Sequence, residues 1–400
     1  MAAFLPFELI TEILTKLPVK SLHRFKCVSK SWNSIITSSK FIKQHLHQTL
    51  ISNTNTNTHI IISTNSIVSS AISTVKFRFH IVNHPLDHLP NRSPGNITGS
   101  VHGVFLLVDS STKTLCLFNP SNKTQRLVPH SPSRKPASPS PKLAFVFKLV
   151  EVFGFGYDDN TDDYKVVRLA QWELFGYFDR EASVYSMRND SWESVNDETV
   201  SYTLQETSAI AVDSTLWFVM ISNNSDSVLK CFDLRTNTFW LVDFPELDRD
   251  SGKNIFMTLR SLRDCVCLLV SYRNKNRVFL HADVWEMNES KWVKLFKIRK
   301  NEIRERCMFL RLVTYSKDMK SVLIEVDCDW HGWYDLVTKK FRRVSVQGLE
   351  AVDAPYVAYP YVETLVSVEN NKVVSKMEGT WPKKTIKKND FLSSGFKLKL

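Results

Sequence analysis

Two rhythms of apolar positions divide the chain. Over the first fifty residues Ile10, Ile13, Leu14 and Leu17 recur at helical spacing, and Pro6 ahead of them suits a first helical turn, where its missing N–H costs nothing. The spacing predicts a helix over 6–16, stopped by Pro18. Leu22, Phe25, Val28, Trp32, Ile35 and Ile36 carry the same period through two further short helices, and Phe41, Ile42 and Leu46 mark a fourth. A unit of about 45 residues buries too small a share of its surface to be comfortably stable alone. Its apolar excess must therefore pack on the rest of the chain or on a partner.

From residue 100 onward the helical period gives way to short runs rich in Val, Phe, Trp and Tyr, separated by polar turns. Within them aromatic positions pair seven residues apart: Tyr185 with Trp192, Phe232 with Phe239, Trp285 with Trp292, and Tyr334 with Phe341. A fifth copy, at 115–120, has Gln125 in the second position. Each copy reads as a hairpin. The first positions, at 118, 185, 232, 285 and 334, lie 67, 47, 53 and 49 residues apart, close to the roughly 50-residue period of kelch-type blades. The long first interval holds the Pro/Ser-rich segment 129–142, which reads as a loop. With further strands near 59–63, 76–80 and 104–109, the period predicts about six blades. A β-sandwich is the competing architecture, and the regular spacing favours the propeller. The expected fold class is α+β, mainly β: a small N-terminal helical module followed by a β-propeller.

Composition adds limits. At 400 residues, 43% hydrophobic and 12% aromatic, the chain has material for a large core beside the helices, so two domains are expected. Glu8, Glu12 and Pro18 interrupt the first twenty residues, and no later segment offers 18 uninterrupted apolar positions. Neither a signal peptide nor a membrane span is expected, and the chain is read as cytoplasmic and/or nuclear. Seven scattered cysteines without a C-x-x-C pair fit reduced thiols. A net charge of +11 brings nucleic acid into view. Basic residues gather only at Arg134-Lys135, Lys383-Lys384 and Lys387-Lys388, without interleaved aromatics, so no nucleic-acid partner is expected.

Catalytic chemistry finds little support. His45, His47 and the series His80, His84 and His88 have metal-like spacing, but no Cys or acidic cluster completes a ligand set, and they read as surface histidines. The run 158–163 lacks the central Gly and final Glu of a calcium loop and reads as a turn between strands. Cys265 and Cys267 read as packing residues of one strand face. No nucleophile elbow or phosphate-cradling loop appears, so neither a cofactor nor an enzymatic activity is expected.

Two stretches carry a family resemblance. Leu5-Pro6, Ile13-Leu14, Leu17-Pro18-Val19-Lys20-Ser21-Leu22, the run from Phe25 to Trp32 and Phe41-Ile42-Lys43-Gln44-His45-Leu46 resemble the plant F-box. Gly154-Phe155-Gly156-Tyr157-Asp158, Asp163-Tyr164-Lys165-Val166-Val167-Arg168, Phe232-Asp233-Leu234, Asp283-Val284-Trp285 and the run from Tyr361 to Ser367 resemble the plant F-box-associated, kelch-like domain. The resulting division is an F-box at 1–49, a connecting segment with the first propeller strands at 50–100, the propeller at 101–375 and a basic tail at 376–400. The end of that tail, Asp390 to Leu398, resembles a branch that restrains plant defence through turnover of immune receptors.

The resemblance implies a substrate-recognition subunit of a Skp-cullin-F-box (SCF) ubiquitin ligase, without catalysis of its own. A Skp-type adaptor would bind at Leu5, Pro6, Ile13, Leu14, Leu17, Pro18, Leu22, Val28 and Trp32, and through it the cullin and RING protein; the propeller would hold an unidentified protein target. An interaction module that binds the adaptor without promoting degradation has the same sequence. Target contacts are expected in loops after Tyr157, around 172–179 and at 329–332, with Trp172, Phe175, Tyr177 and Trp330 as exposed aromatics; packing between blades is the competing reading for them. Ser131, Ser138 and Ser140 precede prolines, a pattern compatible with phosphorylation.

Overall fold

Helix α1 (Phe7–Thr15) follows Pro6, and α2 (Val19–Phe25) follows Pro18, so the same residue type that stops one helix opens the next. α3 (Lys30–Thr37) starts at Ser29, whose hydroxyl accepts the Trp32 N–H at 3.1 Å, and α4 (Ser39–Ile51) follows Ser38, which accepts the Phe41 N–H at 3.3 Å. Leu14, Val19, Leu22, Ile35, Ile36 and Phe41 close into one small core. All but Val19 are positions at which the helical period placed apolar side chains.

The computed structural model describes residues 6–51, 58–63, 67–72, 76–78, 80–82, 85–86, 95–109, 111–132, 148–174, 177–199, 202–203, 209–222, 227–248, 254–303, 306–347 and 357–369. After the helices come six radial sheets. Blade 2 is Gly95–Val101, Val104–Asp109, Leu115–Asn119 and Thr124–Val128; blade 3 is Lys148–Asp158, Asp163–Leu174, Tyr177–Ser186 and Ser191–Val195. In blade 4, Thr215–Ser222, Ser227–Asp233 and Thr238–Val242 are edged inside by two short pieces, Tyr202–Thr203 and Ile210–Val212. Blade 5 is Asn254–Leu262, Cys265–Arg273, Phe279–Asn288 and Lys291–Arg299, and blade 6 is Leu310–Tyr315, Ser321–Val326, Trp330–Asp335 and Phe341–Arg343.

Blade 1 joins the two ends of the propeller. Thr58–Ser63, Ile67–Ala71 and His80–Val82 receive their innermost strand, Val357–Val362, from the far end, with His59 opposite Tyr361 and Ile61 opposite Tyr359. The innermost strands of all six blades then touch their neighbours in sequence, and blade 6 returns to blade 1. Closure removes the open edge that a lone sheet would expose.

Each pair of adjacent blades shares its own core. Alternation along a strand makes this possible, because successive side chains point to opposite faces. In Val104–Asp109, Phe105 and Leu107 face blade 1, while Val104, Leu106 and Val108 face blade 3. Middle strands are thus buried on both sides, which is why they read as continuous apolar runs.

The seven-residue pairs are the hairpins between third and fourth strands. Tyr185 lies opposite Trp192, Phe232 opposite Phe239, Tyr334 opposite Phe341, and Phe118 opposite Gln125. Ring centroids stand 5.5 Å apart for Tyr185 and Trp192, and 4.5 Å apart for Phe232 and Phe239. Blade 5 departs from the rule: a register shift between Val284 and Trp285 sets Trp285 opposite Lys294 and Trp292 opposite Met287.

Since consecutive strands run antiparallel, the turns joining first to second and third to fourth strands share one face of the propeller. The other face carries the described links from second to third strands and from blade to blade, including 129–132, 300–303 and 306–309. Turns on the first face are tight, with left-handed backbone at His102, Gly103, Asp162, Asp190, Asp213 and Asn237. The helices sit on this tight-turn face, in one compact unit with the propeller that ends at Val368.

Candidate protein-docking face

α1 has two apolar sides. Ile10, Leu14 and Leu17 turn inward to the helical core, whereas Phe7, Leu9 and Ile13 are 59%, 46% and 52% exposed. Val28, at the end of the turn before α3, is 60% exposed, and Pro6 and Pro18 are exposed as well. An excess of this size on a unit of four short helices is the mark of a surface meant to be covered.

The opposite side of the module is fixed to the propeller. Ile42 touches the helical core and also, with Leu46, the core shared by blades 2 and 3. Lys43 pairs with Asp162, whose carboxylate also accepts the Tyr157 hydroxyl at 2.5 Å. Burial alone would raise the Asp162 carboxyl, but the Lys43 and Tyr157 hydrogen bonds outweigh it and hold the group below its usual range. His45, 3% exposed, donates through Nε2 to the Leu17 carbonyl at 2.9 Å and so ties α4 to the end of α1. Burial lowers its pKa against the opposing pull of that bond. His45 is therefore a structural strut, which corrects its reading as a surface histidine.

A strap completes the mounting. Past the closing strand, residues 363–368 cross the tight-turn face under blade 2, and Leu365 enters the helical core while Val366 and Val368 enter that of blades 2 and 3. Asn119, fully buried, donates through Nδ2 to Thr364 O at 3.2 Å, to Thr364 Oγ1 at 3.1 Å and to Val366 O at 2.8 Å. Asn122 donates to Val366 O at 2.7 Å, and Thr364 Oγ1 donates to His102 O at 2.8 Å. Beside them Gly103 has φ +75°, and a Cβ there would meet Val362 O at 2.4 Å, so only glycine lets the strap pass this closely.

These contacts sort the residues expected to bind an adaptor. Pro6, Ile13, Pro18 and Val28 are on the surface; Leu17 and Trp32 are half-buried, Trp32 edge-on to Phe25 at 5.5 Å. Leu14 and Leu22, at 1% and 0% exposure, are core residues that hold the face rather than form it. Leu5 lies outside the described residues. Phe7 and Leu9 were missed, and their signal was apolar side chains off the Ile10–Leu14–Leu17 stripe, where an ordinary amphipathic helix is polar.

The aromatics expected at the target fare differently. Trp172 and Trp330 are 6% and 7% exposed, in strands rather than loops, so both pack inside the propeller. Trp330 is held between Phe341 at 5.4 Å and the Arg343 guanidinium at 4.9 Å. Tyr177 opens a strand; its side chain, like all of Phe175, lies outside the described residues. The turn after Tyr157 is on the helix side of the propeller, against Lys43. Ser138, Ser140 and the tail from 376 also lie outside the described residues. Among the described residues no group of three His, Cys, Asp or Glu side chains is placed to hold a metal ion, and no helix is long and apolar enough to cross a membrane.

The helices and the propeller each match a known protein family. Residues 4–44 match the F-box domain, and residues 56–368 match the F-box associated beta propeller domain. Along its whole length the chain is similar to F-box protein CPR1 of Arabidopsis thaliana, 29% identical over 443 residues with both chains covered in full. An F-box/kelch-repeat protein of the same plant is 30% identical over 316 residues, covering 74% of this chain and 79% of the other. A further Arabidopsis F-box protein is 27% identical over 431 residues and covers 99% of each.

Proposed function

The chain belongs to the F-box proteins that carry an F-box associated β-propeller, and from that premise we propose that it is the substrate-recognition subunit of an SCF-type ubiquitin ligase. Proteins of this build generally serve as receptors of that kind. The helices hold a Skp-type adaptor, the propeller holds a target protein, and the rate gain comes from proximity of a target lysine to the loaded conjugating enzyme. The chain itself needs to make or break no bond.

One observation carries the reading: an apolar face presented by a module whose other side is fixed to the propeller. Phe7, Leu9, Ile13 and Val28 are each about half exposed, and covering them recovers roughly 1 kcal/mol apiece. The fixed mounting supports the proximity argument, because a target bound to the propeller keeps a set distance from the adaptor. Expressed with a tag under proteasome inhibition, the chain is expected to co-purify an adaptor and a cullin, and the proteins it holds are expected to live longer in cells carrying only the Ile13→Glu variant. Co-purification of the adaptor with unchanged half-lives for every retained protein would overturn the degradative role.

A further inference from the structure

With the helices on the tight-turn face, the opposite face of the propeller points away from any adaptor. An open cleft of about 850 Å³ lies there, between blades 5 and 6, lined by residues 278–281, by Lys297, by 299–301 and Ile303, and by Arg306 and Cys307. Its volume falls within the roughly 300–1,000 Å³ of ligand sites. Val278 and Leu280, both partly exposed, contribute an apolar floor, and among the described residues four cations line the walls: Lys297, Arg299, Lys300 and Arg306. Among the described residues none of those lining the cleft is acidic.

Carboxylates near the cleft are already engaged from below. Asp283, 3% exposed, lies under Lys294 at 2.9 Å and Lys297 at 3.5 Å. Glu302, 11% exposed, accepts the Tyr334 hydroxyl at 2.7 Å and pairs with Arg299 at 3.3 Å. Among the described residues no carboxylate pairs with Lys300 or Arg306. Lys300 and Arg306 thus stand on the rim of an apolar-floored cleft with no carboxylate partner among the described residues.

We propose that this cleft seats an acidic, extended segment of a partner protein, with carboxylates on Lys300 and Arg306 and an apolar side chain on the floor. A bare anion would leave the floor wet, and an apolar ligand would leave the cations unpaired; an acidic segment with one apolar anchor satisfies both. Rim charges of this kind act through steering and salt-sensitive attraction. Calling that partner the degradation target rests on the receptor reading; the cleft itself does not.

The test uses the full chain and two fluorescein-labelled peptides, one of Glu and Asp around a single Leu, the other with Gln and Asn in their place. Fluorescence anisotropy is expected to show the acidic peptide binding at least about tenfold more tightly than the neutral one, with an affinity that falls as salt rises. The K300E/R306E double variant is expected to weaken the acidic peptide by about tenfold and to flatten its salt dependence. The same variant is expected to bind a Skp-type adaptor like the wild type, which also verifies its fold. Equal binding of the two peptides, no binding of the acidic one, or indifference to the charge reversal overturns the cleft. Loss of adaptor binding by the wild type, with the acidic peptide still bound, overturns the receptor reading and leaves the cleft standing.

Discussion

Replacing Asn119 with Ala removes the centre of the strap without touching any blade core. The lost side chain is fully buried and shares its two amide N–H groups among three acceptors on Thr364 and Val366, while its Oδ1 accepts the Ser121 N–H at 2.9 Å. Val366 O keeps Asn122 at 2.7 Å, and the Thr364 hydroxyl keeps His102 O at 2.8 Å. Thr364 O and the Ser121 N–H lose their Asn119 partner, and each buried group left unpaired costs about 1–3 kcal/mol, so the change should cost about 2–6 kcal/mol. That loss falls on residues 363–368, which carry Leu365 into the helical core. Hydrogen exchange followed by mass spectrometry is the assay. Amides of the strap and of α4 are expected to exchange at least about thirtyfold faster, while Val104–Asp109 keeps its protection. Exchange in the strap within about threefold of wild type would refute this reasoning.

Two further predictions concern single side chains. His102 is pulled by burial from 6.5 down to about 4, so the fold keeps it neutral where the unfolded chain takes up a proton. Its contribution is present above pH 6.5 and lost as the pH falls towards 4, a drop bounded on the order of 3 kcal/mol. His102→Asn, which tolerates the φ of 52°, is expected to flatten that part of the stability profile in urea titrations at stepped pH; an unchanged slope would contradict it. Leu14→Ala and Ile13→Ala separate core from face: calorimetric unfolding is expected to show a loss of about 2–5 kcal/mol for the first and under about 1 kcal/mol for the second. Equal losses would mean that the inside and outside of α1 are wrongly assigned.

What the sequence made legible was local. The helical period over Ile10, Leu14 and Leu17, the prolines opening α1 and α2, and the aromatic pairs across third-to-fourth-strand turns all depend on residues within about ten positions of each other. Tyr185 and Trp192 read as a hairpin because they are one. Long-range features were not legible in the same way. The pairing of His59 with Tyr361 and the strap from Asn119 to Thr364 join residues from opposite ends of the propeller, and no periodicity records such a contact. Which apolar residue faces outward also escaped: Leu14 and Ile13 are neighbours in sequence, and only the packing of α4 and Leu365 decides that the first is core. Trp172 and Trp330 show the same limit, since proximity to a turn signal does not distinguish a presented aromatic from one packed between blades.

Isothermal titration of the full chain with a purified Skp-type adaptor, with and without paired Ile13→Glu and Val28→Glu substitutions, tests the docking face most directly. Both side chains are more than half exposed, so the charges leave the fold intact while spoiling an apolar contact. The wild type is expected to bind, and the doubly substituted chain to lose at least about a hundredfold in affinity with unchanged thermal unfolding. Equal affinity of the two proteins, or no binding by the wild type, would contradict the assignment of this face.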